Sequence, residues 1–392
     1  MKHDLKLTSG SVQQVVNDLN AGWRNEVVRA LGMDSNTFQM AQGTLGLQSA
    51  DSSGLFLMAD SVPPQSTTAY YDPSGKNKRS SAYNQMLHAM LPSTSSGLRA
   101  ALGDQYSNWI AYRNADTSDL SQFELFKKWA SRRLDPNQET AAITAFKMTL
   151  SDPLNVALSN YVDKNFYMTF TDDSGKSFTL PSYSCTIDAA TKAINTGGSA
   201  SIDYDSTTAS TSSNGTMVSG SASGFYDIFS ASAGGSFEQL NQTAASSAFT
   251  IKGTIGKYAT VVSDAAEWYD GSMVSRAYNG KNDNTIWDPN SNMGTWDSFF
   301  GANGSLARRM SSLLVVSEYD LVVTSKATYS QADFQQIKAQ ASFGIWPFFS
   351  ASASATHTET YTLNEDGSLS VRYQLNKGLI AIWGATIQNA PN

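Results

Sequence analysis

Three histidines, one cysteine and a surplus of hydroxyl side chains set the chemistry open to this chain. His3, His88 and His357 lie far apart in unlike surroundings. No two have metal-ligand spacing, and none neighbours a candidate nucleophile. Cys185 alternates with Tyr183 and Ile187 against Ser182, Ser184 and Thr186, which predicts a buried strand residue rather than a nucleophile. As the sole cysteine it excludes an internal disulfide. The glycines match neither a P-loop nor a dinucleotide fingerprint, and the serine spacing in residues 220–224 is wrong for a nucleophile elbow. These residues predict a non-enzymatic protein with no catalytic residues, no metal and no cofactor.

Residues 264–300 suggest recognition instead. Trp268, Tyr269, Asp270, Asp283, Asn284, Trp287 and Trp296 set flat rings beside carboxylates and a carboxamide. A ring packs against the C–H face of a sugar while the polar groups take its hydroxyls. The segment therefore predicts a loop-like surface for a receptor or glycan, unless its aromatics plug into the fold.

Two regions must position these groups, joined by a change of period near residue 165. Residues 1–165 read as a helical bundle or cap. Val12, Val15, Val16, Leu19, Trp23, Val27 and Leu31 share one helical face, with Ser11 and Gln14 as a capping box and Gly32 as the stop. Further stripes are Tyr83, Met86, Leu87, Met90 and Leu91, then Leu98, Leu102, Tyr106, Trp109 and Ile110. Asp119 is read as the cap of a helix carrying Phe123 and Phe126, while Asp135-Pro136 and Asp152-Pro153 each put a cap before a first-turn proline. Residues 166–392 read as an antiparallel β domain: a hairpin turning at residues 172–175, strands around residues 200–204 and 313–324, and late strands at 369–375 and 379–383. The fold class is α+β, the helical N-terminal part packing on a larger antiparallel sheet or sandwich with long Ser/Thr-rich strands.

The β region contains a duplication. Residues 224–233 match residues 344–353 at an offset of 120: a glycine, an aromatic cluster, then Phe-Ser-Ala-Ser-Ala. Phe225, Tyr226 and Phe229 stand in the first copy, Trp346, Phe348 and Phe349 in the second. After the second copy, Ser350, Ser352, Ser354, Thr356, Thr358, Thr360 and Thr362 fall on one side of an extended strand. Such a strand is about 45 Å long at ~3.3 Å per residue, against a bilayer core of about 30 Å.

Long Ser/Thr-alternating strands of this kind resemble the prepore-to-pore segments of β-barrel pore-forming toxins of the aerolysin type, over residues 199–237 and 344–375. The resemblance implies a self-associating toxin-like protein whose partners are further copies of itself, membrane lipid or a cell-surface glycan. The same alternation also fits a water-facing sheet in an ordinary β domain, a carbohydrate-binding or adhesion module, or a structural subunit of a larger assembly.

Composition bounds the rest. Of 392 residues 41% are apolar, enough for a core, and only 16% are charged. A net charge of -7 and a pI near 5.0 exclude nucleic acid as the main partner, since phosphate binding needs concentrated positive charge. The first residues lack an apolar signal stretch, and no run approaches the roughly 18–20 apolar residues of a membrane helix. The expectation is a chain made soluble, either cytoplasmic or released by a non-classical route.

Overall fold

The computed structural model describes residues 9–47, 51–67, 77–93, 95–118, 120–172, 174–208, 238–339, 357–375 and 378–390. Among these, thirteen helices accompany a seven-stranded antiparallel sheet and a two-stranded hairpin, an α+β architecture. No helix among the described residues is long and apolar enough to cross a membrane.

The chain opens with α1 (Ser9–Leu31), where Leu19, Trp23, Val27 and Leu31 recur on one face and are buried. Gly32 ends it at φ 66°, a backbone that glycine adopts without a Cβ clash. β1 (Phe38–Leu47) follows, then α2 (Ser53–Ala59) and α3 (Arg79–Ala89). Four helices form a satellite bundle: α4 (Ser95–Leu102), α5 (Gln105–Ala115), α6 (Gln122–Arg133) and α7 (Pro136–Thr149). Its core is aromatic, with Phe126 stacked on Phe146 at 4.2 Å and Trp109 edge-on to both. α8 (Pro153–Val162) leads to the hairpin of β2 (Tyr167–Thr171) and β3 (Ser177–Pro181), and then to α9 (Ile187–Asn195).

The remaining elements build the sheet: β4 (Gly198–Asp205), α10 (Glu238–Ala245), β5 (Phe249–Val262), α11 (Gly271–Asn279), α12 (Trp296–Phe300), β6 (Arg308–Ser325), α13 (Gln331–Ala339), β7 (His357–Leu363), β8 (Leu369–Leu375) and β9 (Ile380–Asn389). β5 pairs with β6 along nearly its whole length, and β4 flanks β5. On its other side β6 forks. Residues 308–316 pair with β9, which carries β1, while residues 320–325 pair with β8, which carries β7.

The fork divides the sheet into unlike halves. Around residues 313–316 both faces are buried: Leu313 and Val315 point into a core with α2, α3, α8, α9, α11 and α12, Leu314 and Val316 into one with α1. Around residues 319–325 only one face is packed by helices among the described residues. Tyr319, Leu321 and Val323 pack beneath α1, α10 and α13, while Asp320, Val322 and Thr324 on the opposite face are half-buried.

A bend separates the halves. Glu318 takes φ 54° and faces Gly256, where a Cβ would lie 2.8 Å from the Glu318 Cβ. A Cβ on Gly253, at φ 151°, would meet the Asp320 carbonyl oxygen at 2.0 Å. The strands come this close only because glycine stands at both positions.

Several expectations need correction. α1 starts at Ser9, so Ser11 lies inside the helix rather than capping it. The stripe from Leu98 to Ile110 is two helices, broken at Gly103 (φ 53°). α6 is capped by Ser121, whose hydroxyl accepts from the Glu124 N–H in a capping box; Asp119 lies outside the described residues. Tyr183, Cys185 and Ile187 form no strand, because Ile187 already opens α9. Residues 264–300 are no loop, since they hold α11 and α12. β1 pairs with β9 and α1 packs on the β-sheet, so elements from both sides of residue 165 pack together.

The bend gives a stability test. Gly253→Ala adds a clash to a backbone only glycine adopts freely, so it costs about 3 kcal/mol or more in urea unfolding. Gly378→Ala meets no atom within 4 Å at φ 85°, so it costs only about 1–2 kcal/mol of backbone strain. Equal costs at the two sites would contradict the close approach.

Candidate functional site

Strand alternation builds a patterned surface on the half of the sheet around residues 319–325. Tyr204, Ile251, Val323 and Val371 turn to the covered face, so their neighbours turn outward. Three rows cross five strands. Ser201, Thr254, Asp320, Gln374 and Thr358 form the first; Asp203, Lys252, Val322, Arg372 and Thr360 the second; Asp205, Thr250, Thr324, Ser370 and Thr362 the third. Thr358, Thr360 and Thr362 are exposed on this face, on one side of β7 as their alternation predicts.

The charges on this face are paired within it. Lys252 Nζ lies 2.9 Å from Asp203 across β4 and β5. Arg372 Nε donates to Asp320 at 2.8 Å across β6 and β8, and Gln374 donates to the same carboxylate at 3.0 Å. The Arg372 partnership holds the Asp320 carboxyl below the usual carboxylate range. Lys326 reaches Asp205 at 3.2 Å, and Asp205 is pulled down to about 2 by the Thr207 hydroxyl and N–H and by Lys326. The surface is thus hydrated and nearly neutral.

Among the described residues both ends of this half-sheet are edges: β7 pairs only with β8, and β4 only with β5. The β4 edge is guarded: Asp203 N–H donates at 3.0 Å to Glu26 of α1, a buried carboxylate that Arg29 clamps with two donors at 2.6 and 2.8 Å. A side chain thus occupies one N–H that a further strand would need.

The duplicated segments enter here. The first leaves after β4 and returns at α10; the second leaves after α13, which follows β6, and returns at β7. Their own residues, including Phe225, Tyr226, Phe229, Trp346, Phe348, Phe349, Ser352, Ser354 and Thr356, lie outside the described residues. β4 and β6 end on either side of the first residues of β5, so the chain leaves β4 beside the end of β6. The Asp205–Lys326 pair joins the end of β4 to the residue after β6, whereas the second segment starts only after α13.

The proposed recognition residues of 264–300 are placed differently. Trp268 is fully buried, its indole N–H donating to the Ser182 carbonyl at 2.8 Å, and Trp287 is buried and stacked on Phe299. Neither can stack on a ligand, which corrects their reading as glycan contacts. Asp270 caps α11 through Ser272 N–H, and Asp283 holds Thr285 N–H. Trp296 donates to the Tyr278 carbonyl and carries Lys281 Nζ 4.0 Å above its ring, while Asn284 is exposed. These aromatics mainly bind α11 and α12 to the core.

Of the candidate nucleophiles and bases, Cys185 is buried and its thiol is pushed up to about 12 by desolvation, so it is protonated at neutral pH. His88 is lowered to about 4 by burial and by Arg113, with Nδ1 against the Asn84 carbonyl.

One polar cluster has no sequence signal at all. The Asp60 carboxylate is buried and takes Ser80 N–H and Oγ, each at 2.8 Å, and the Tyr183 hydroxyl at 2.9 Å. It caps α3, whose own N-cap residue Lys78 makes no side-chain cap bond. Arg79 donates to the Tyr269 hydroxyl at 2.6 Å, and the Tyr83 hydroxyl accepts Asp270 N–H at 2.9 Å. Residues from four distant stretches are so tied together.

Burial raises the Asp60 pKa above its ordinary value. A raised folded-state pKa favours the protonated acid, so stability is fully present below the unfolded value and falls as pH rises toward the folded one. Asp60→Asn keeps acceptor and donor positions without the titration. Its stability relative to the parent should rise between pH 4 and pH 7 in urea titrations, and a constant difference would contradict the assignment. Asp60→Ala leaves buried donors unpaired and should cost about 1–3 kcal/mol.

Comparison of the chain with protein-family models, with curated proteins and with solved structures finds no match.

Proposed function

We propose that this is a non-enzymatic protein that assembles with copies of itself and acts on target membranes through one half of its sheet. The observation that carries the reading is the half-sheet bounded, among the described residues, by β4 and β7. Of two segments with the same aromatic and Ser-Ala pattern, 120 residues apart, the first follows β4 and the second precedes β7 in the chain. Hydroxyl-bearing β7 and carboxylate-guarded β4 supply two strand edges on one hydrated sheet, and edges of this kind accept further strands. In this reading the α4–α7 bundle is scaffold, and Glu26 delays self-pairing until α1 moves away from β4.

Release of a dye trapped in lipid vesicles tests the proposal. The parent chain should cause leakage at micromolar protein. Glu26→Ala should raise the initial rate several-fold by freeing the β4 edge. Thr358→Lys with Thr360→Lys, on an exposed face where folding tolerates charge, should reduce leakage at least tenfold. No leakage from any of several vesicle compositions, with a monomer by light scattering, would sink the reading.

A further inference from the structure

A groove of about 760 Å³ lies between α5 and residues 288–293, with Arg99 of α4 and the turn at Gly103 at one end. That is within the ~300–1,000 Å³ span of small-molecule sites. Its apolar surface comes from Ile110, Ala111, Pro289 and Met293, and its polar groups are mainly side-chain amides and carboxylates.

Two features mark the groove, which Tyr106 lines, as a built site. Arg99 lies 4.8 Å above the Tyr106 ring, fixing that wall. Beneath the groove, buried Arg113 donates to Asn114 Oδ1 at 3.1 and 3.3 Å and to the His88 carbonyl at 3.1 Å. With its oxygen engaged, Asn114 offers its amide N–H groups to a ligand.

The charges choose among ligands. Asp104, Asp288 and Arg99 line the groove and Arg113 lies near Asp288, so neither a phosphate nor a cation finds a field of one sign. Amides that both donate and accept, beside an apolar wall, match alternating hydroxyls and C–H faces. We infer that this groove binds a neutral oligosaccharide. Such binding does not depend on the membrane reading, and it places recognition on residues 288–293 and α5 rather than on buried Trp268 and Trp287.

The full chain on an array of neutral, sialylated and sulfated glycans tests this. Binding should appear among neutral glycans and persist in 0.5 M salt. The strongest neutral hit, immobilised for interferometry, should lose at least tenfold in affinity on Asn290→Ala with Asn292→Ala, two exposed positions whose change leaves the thermal melt unaltered. Hits confined to charged glycans, an array without hits, or affinity unchanged in the Asn290/Asn292 variant would each overturn the assignment.

Discussion

The pairing of β5 with β6 is the constraint from which the rest of the molecule follows. The two strands stay in register from Phe249 with Ser325 to Val262 with Ser312, through a bend that needs Gly253 against the Asp320 carbonyl and Gly256 opposite Glu318. On one side of the bend the strands are buried on both faces, and on the other they are covered once. The bend also lets β6 take β9 as partner before it and β8 after it. One irregular backbone stretch thereby separates a core buried on both faces from a half-sheet that, among the described residues, has two edges and one face without helices.

The face without helices is stable in water without strong fields. Its hydroxyls are hydrated, and its few charges close into cross-strand pairs such as Asp320 with Arg372. Exposed pairs of this kind contribute little stability and are weakened by salt. Their effect here is to cancel charge on a surface that would otherwise repel a second copy. Stability comes from the covered side, where α1, α10 and α13 bury Trp23, Leu240 and Ile337 against Tyr319 and Leu321.

What the sequence made legible was local. Trp23, Val27 and Leu31 mark α1 because helix period is a property of neighbours, and Asp135-Pro136 and Asp152-Pro153 mark α7 and α8 because caps act within one turn. The Thr358, Thr360 and Thr362 alternation gave the face of β7 correctly. What stayed hidden depends on distant partners. The Asp60 cluster joins residues 60, 80 and 183, β1 is recognised only by its pairing with β9, and the Arg113–Asn114 support of the groove needs the His88 carbonyl. Aromatic density in residues 264–300 suggested an outward surface, but Trp268 and Trp287 face inward because rings fill the space between α11, α12 and the core. Composition does not encode that direction.

Hydrogen–deuterium exchange, read on the chain alone and again on lipid vesicles, distinguishes a half-sheet that takes up further strands from an inert one. Exchange along β5 and β6 should be slow in both states, with new protection on vesicles confined to β4, β7 and the segments between them and the neighbouring helices. Unchanged exchange at β4 and β7 in vesicle-bound protein, or protection arising only on the α4–α7 bundle, would contradict assembly through this half of the sheet.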